Sequence, residues 1–96
     1  MARPILEEIS AEIAGLQEIK PRVRRCSFFG DDHHAAIDAQ IQVLEGRMDE
    51  TEIHDEQEKM GWPQSVLDAA LDARSWLDGE YVDAASLVES WKELVR

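Results

Sequence analysis

The chain has 96 residues, 44% of them apolar, with three prolines, five glycines and one cysteine. That suffices for one domain with a small core, is too apolar for a disordered chain, and leaves no internal disulfide to form. Twenty-one acids against ten bases give a net charge of −11, so nucleic acid is repelled over most of the surface.

The charge is unevenly placed. Residues 1–30 carry five bases and four acids; residues 31–96 carry five bases and seventeen acids. No apolar run approaches the ~18 residues that span a bilayer, and Glu7 and Glu8 lie where a signal peptide would be apolar. The expectation is a soluble cytoplasmic protein, with residues 1–96 forming a single helical domain. Alanine, glutamate, leucine and aspartate dominate, which favours helix over strand.

In the first segment, Ile5, Leu6, Ile9, Ile13, Leu16 and Ile19 recur at steps of three and four, and Glu7, Glu8, Glu12 and Glu18 fall on the opposite face. A helix from about Pro4 to Glu18 follows, stopped by Pro21. Pro21 to Gly30 reads as a connection in which some of Val23, Phe28 and Phe29 tuck under the helices. Asp31 or Asp32 then caps a second helix, with Ile37, Ile41, Leu44 and Met48 on one stripe, His34 extending it and Val43 broadening it. Gly46 weakens its last turn, so it frays near Arg47.

Asp49-Glu50-Thr51-Glu52 matches a capping signal, and Thr51 to Lys59 reads as a short third helix broken by Gly61. Trp62-Pro63 opens a fourth helix carrying Val66, Leu67, Leu71, Trp76 and Leu77, ended at Asp78-Gly79 by glycine's access to positive φ. Asp83 or Ser86 caps a final helix bearing Leu87, Val88, Trp91, Leu94 and Val95. Short loops between these segments imply an all-α fold, a compact bundle of four to five short antiparallel helices. Its core is expected from Ile5, Ile9, Ile13, Leu16, Ile37, Ile41, Leu44, Leu67, Leu71, Trp76, Leu87, Trp91 and Leu94.

Arg22 to Gln40 concentrates the chemically able residues. His34 and Asp38 are i, i+4 on one helix and, with His54 further on, form the alternative of a metal-binding module or metal-dependent enzyme. Against it, the adjacent His33 and His34 point ~100° apart on a helix. No HExxH, CxxC or ExxH spacing occurs, so a capped helix start with solvated polar side chains is the plainer reading. Cys26 follows two arginines that would favour its thiolate, yet nothing identifies an orienting group or an oxyanion donor. Lys20, Arg22, Arg24 and Arg25 with Phe28 and Phe29 suggest phosphate contact and base stacking, but the acidity beyond residue 30 opposes it. Internal ion pairs, a second copy or an acidic partner suit the cluster better, so no direct nucleic-acid binding is expected.

Trp76 and Trp91 fall on apolar stripes and belong in the core. Trp62, beside Gly61, is the tryptophan placed for partial exposure. Asp49, Glu50, Glu52, Asp55, Glu56 and Glu58 form the densest acidic run. It is either a solvated face or a surface that imitates a phosphate backbone on a basic protein.

The stretch SFFGDDHHAAIDAQIQVLEGRM, with LDAALDARSWLDGE and SWKELV, resembles a group of small uncharacterised bacterial proteins carried on plasmids and other mobile elements. The resemblance covers Val23 to Met48 and about Val66 onward. It implies no residue role. It favours an inhibitor of host defence complexes, anti-CRISPR or anti-restriction in kind, because mobile elements encode many small acidic proteins of that sort.

The expected function is a non-enzymatic acidic interaction module. Asp49, Glu50, Glu52, Asp55, Glu56, Glu58 and Trp62 would dock on a basic, nucleic-acid-binding protein surface, without cofactor or membrane. The metal site at His34, Asp38 and His54 and a structural homo-oligomer are the alternatives.

Overall fold

The computed structural model describes residues 4–23, 32–80 and 86–92. These form five α-helices: α1 (Leu6–Ile19), α2 (Asp32–Gly46), α3 (Glu50–Met60), α4 (Gln64–Leu77) and α5 (Leu87–Lys92), with a 3₁₀ turn at Lys20–Arg22. No strand occurs among the described residues. The fold is an all-α bundle.

Each boundary has a local cause. At Pro21, α1 tightens into the 3₁₀ turn, and the buried Val23 closes it by donating to the carbonyls of Ile19 and Lys20 at 3.1 and 3.2 Å. The expected capping signal forms a full capping box. Asp49 Oδ1 accepts the Glu52 amide at 2.8 Å, and Glu52 Oε1 accepts the Asp49 amide at 3.3 Å. Gly61 and Gly79 take φ of 69° and 75°, the left-handed conformation that ends α3 and follows α4.

The end of α2 falls where expected, at Gly46 and Arg47. The left-handed residue is Arg47, at φ 47°, and the helix reaches Gly46. Met48 donates back to the Val43 carbonyl at 3.1 Å, which closes the turn. Arg74 of α4 clamps it by donating Nη1 to the carbonyls of Arg47 and Met48 at 3.3 and 3.0 Å, while Nε and Nη2 grip Asp78 at 3.2 and 2.6 Å.

Consecutive helices run antiparallel. Lys20 meets Asp38 and Val23 meets His34 at one end of the α1–α2 pair, and Ile9 and Arg47 share a groove at the other. As next-but-one neighbours, α2 and α4 run the same way and make the most extensive helix–helix contact. Small residues permit their close approach: Ala36 and Ala39 on α2 and Ala69, Ala70 and Ala73 on α4 are all buried. Around them lie Leu16, Ile37, Val43, Leu44, Ile53, Val66 and Leu87, each almost fully buried.

Most of the expected core is in place. Ile13, Ile41, Leu71, Trp76 and Trp91 are half-buried at its margin. Leu94 and Asp83 lie outside the described residues. Ile5 is a correction: it is 58% exposed, and Leu6 is 62% exposed. The helix begins at Leu6, later than expected, with Ile5 as its N-cap.

Glu12 is the second correction. Expected on the polar face of α1, it is buried at 8% exposure, and its Oε1 accepts the Val88 amide at 2.9 Å. It supplies an acceptor to the first turn of α5, whose amides have no partner within the helix. Gly15, one turn further along α1, leaves room for Val88: a Cβ there would stand 2.8 Å from Val88 Cγ2.

Gln40 is the other buried polar residue among those described. It donates Nε2 to the Ala69 carbonyl at 3.0 Å and accepts Trp91 Nε1 at 2.8 Å, so it joins α2 to both α4 and α5. Among the described residues no buried side-chain nitrogen or oxygen lacks a partner.

Candidate interaction surface

The acidic run folds into α3, anchored on one side only. Ile53 is its single fully buried residue, Glu56 and Gln57 are half-buried beside it, and the rest of the helix is exposed. At ~100° per residue, Thr51, Asp55 and Glu58 form a stripe opposite Ile53, flanked by Glu52 and Lys59 on one side and Glu50 and His54 on the other. Asp49, Glu50, Glu52, Asp55 and Glu58 are all exposed.

The capping box holds this helix in register from its first residue, so the carboxylates project from a defined rod. The ion pairs Lys20–Asp38, Arg74–Asp78 and Lys92–Glu89 among the described residues use no acid of α3. Six acids over residues 49–58, at ~1.5 Å rise each, give about one charge per 2.5 Å, against about one per 1.7 Å along duplex DNA.

The acidic surface also extends onto α4, in a way that sequence spacing did not reveal. A polar cleft of about 580 Å³ lies between the start of α3 and the end of α4, lined by Asp49, Glu50, Thr51, Ser75, Asp78 and Glu80, among others. Asp78 and Glu80 are some thirty residues from Asp49, and only the antiparallel α3–α4 packing brings them together. Arg74, the base beside the cleft, is already committed to Asp78 and to the end of α2.

Trp62 is half-buried and packs against the core at the α3–α4 junction. Its amide donates to the Gln57 carbonyl at 3.1 Å and its carbonyl accepts Gln57 Nε2 at 3.5 Å. The side chain more open to solvent at that end is Met60, 58% exposed.

His34, Asp38 and His54 are not brought together. His34 Nε2 lies 2.9 Å from the Val23 carbonyl, and both carboxylate oxygens of Asp38 face Lys20 Nζ, at 2.8 and 2.9 Å. His54 is exposed on α3. Among the described residues no group of three or more His, Cys, Asp or Glu is arranged to hold a metal ion. His33 meets Trp91 edge-on, with ring centroids 6.0 Å apart. In the basic cluster, Lys20 pairs with Asp38 and Arg22 is exposed, whereas Arg24, Arg25, Cys26, Phe28 and Phe29 lie outside the described residues. No helix among the described residues is long and apolar enough to cross a membrane.

The Glu12 carboxyl is displaced upward from its ordinary range. Burial raises it, and the hydrogen bonds from the Val88 and Leu87 amides and the Ser86 hydroxyl pull the other way without overcoming burial. It serves the packing of α5 and has no part in the acidic surface.

No protein-family model, curated protein or solved structure matches this chain.

Proposed function

We propose that the protein is a non-enzymatic interaction module whose acidic α3, with the cleft beside it, docks on the basic surface of a nucleic-acid-binding protein. The observation that carries this reading is the capped, one-sided anchoring of α3, which leaves Glu50, Glu52, Asp55 and Glu58 exposed and in no ion pair among the described residues. Desolvating such charges is unfavourable unless a partner supplies arginine or lysine, so the surface selects basic partners and rejects acidic ones. A linear charge density about two-thirds that of duplex DNA suits competition with nucleic acid as the mode of action. The resemblance to proteins of mobile elements supports an inhibitor of a host defence complex as the biological setting.

The test begins with capture of a partner from host lysate and proceeds to affinity measurement. Asp55→Lys with Glu58→Lys is the informative variant, because neither residue belongs to the capping box. Binding should weaken at least tenfold in the variant, and should weaken steeply for the wild type as salt is raised, since surface charges are screened beyond about 3 Å at 1 M. A nucleic-acid ligand of the partner should displace the protein. Affinity indifferent to salt and to the charge reversal would refute the docking mode.

A further inference from the structure

Two of the three large apolar side chains that stand exposed among the described residues, Ile5 and Leu6, are adjacent at the start of α1; the third is Met60 at the end of α3. Ile5 and Leu6 border a groove of about 680 Å³ whose lining includes Ile9 and Leu77 from the core margin, with Glu7 and Arg47 also on its wall. Glu7 and Arg47 are both exposed, and neither takes part in an ion pair among the described residues. Arg74, also on the groove, is held by Asp78 and the end of α2.

We propose that this groove is a homodimerisation surface, occupied by the same segment of a second copy of the chain. The argument is one of complementarity. An acidic partner would satisfy Arg47 and repel Glu7, and a basic partner would do the reverse. A patch whose described residues carry one charge of each sign outside any described ion pair, around an apolar floor, is complementary to itself under a two-fold rotation. In that arrangement Ile5 and Leu6 of each copy cover the other's groove floor, and each Glu7 faces the second copy's Arg47. The contact is small, so the dimer is weak and concentration-dependent. It borders the acidic cleft, since Arg74 lines both, but it is centred on the start of α1 and does not depend on the role of the α3 carboxylates.

Sedimentation equilibrium up to about 1 mM protein tests this, in about 0.3 M salt so that the mutual repulsion of two acidic copies is screened. The wild type should dimerise reversibly. Glu7→Arg and Arg47→Glu should each weaken the dimer at least tenfold, because each places like charges opposite one another twice. An equimolar mixture of the two variants should restore dimer, since both contacts in the mixed pair again join opposite charges. Leu6→Gln, at a side chain already 62% exposed, should abolish dimer without lowering the melting temperature. A wild type that stays monomeric throughout would overturn the proposal, as would a variant mixture no more dimeric than either variant alone. Loss of α3-dependent partner binding would leave all of these readings unchanged.

Discussion

Replacing Glu12 tests how the last helix is held. The described part of α5 has six residues, far short of the length at which a helix is stable alone. It stays in place because Leu87 is fully buried, Trp91 bonds Gln40, and Glu12 accepts the Val88 amide at 2.9 Å. In Glu12→Ala that amide loses its partner. Loss of a helix cap costs about 0.5–2 kcal/mol and an unsatisfied buried amide about 1–3 kcal/mol, so about 2 kcal/mol is expected. For a domain of this size that lowers the melting temperature by about 8–16 °C, with α5 amides the first to exchange in deuterium oxide. Glu12→Gln keeps an acceptor oxygen and cannot ionise, and it isolates the charge. Burial holds the Glu12 carboxyl above its ordinary value of 4.5, so the folded chain retains a proton that the unfolded chain has released. The resulting stabilisation is fully present below that ordinary value and is lost as pH rises through the raised, folded one. The stability of the wild type relative to Glu12→Gln should therefore fall as pH rises above the ordinary carboxyl value of 4.5, a comparison in which the other twenty acids cancel. Glu12→Ala melting with the wild type, or a wild-type/Gln difference that is flat or grows with pH, would refute the reasoning.

Other substitutions probe the same packing. Gly15→Ala would gain about 1 kcal/mol in a free helix, but here its Cβ would stand 2.8 Å from Val88 Cγ2. Stability should fall and be recovered by adding Val88→Ala, with a coupling of about 1 kcal/mol or more in a double-mutant cycle followed by urea unfolding; a coupling of zero would deny the close approach. Arg74→Lys should destabilise by about 1–3 kcal/mol, because a single ammonium cannot grip Asp78 and two carbonyls at once, and an unchanged urea midpoint would show that the clamp contributes nothing.

Much of the architecture is legible in the chain. The steps of three and four around Ile9, Leu16, Ile37 and Leu44 mark real buried faces. Pro21, Gly61 and Gly79 mark real ends, because backbone constraint acts within a few residues and needs no tertiary partner. The Asp49–Glu52 box is legible for the same reason: both of its hydrogen bonds close within one turn. The acidic run was visible too: Asp49, Glu50, Glu52, Asp55 and Glu58 are exposed, and Glu56, beside the one buried anchor, is half-buried.

Other features follow from neighbours remote in sequence. Glu12 stands three residues from Ile9 and four from Leu16, so its place on the apolar stripe was there to be seen, but reading it as polar assigned it to water. The Val88 amide, 76 residues away, with the Leu87 amide and the Ser86 hydroxyl beside it, makes its burial tolerable. Gln40 is buried by the same logic, through Ala69 and Trp91. Ile5 fits the periodicity and is exposed nonetheless, because a repeat states which residues share a face and cannot state where the covering helices end. Local backbone chemistry and hydrophobic spacing thus determine the helices and their inward faces from sequence alone. The docking of α5, the clamp at Arg74 and the cleft joining α3 to α4 depend on contacts that exist only once those helices have packed.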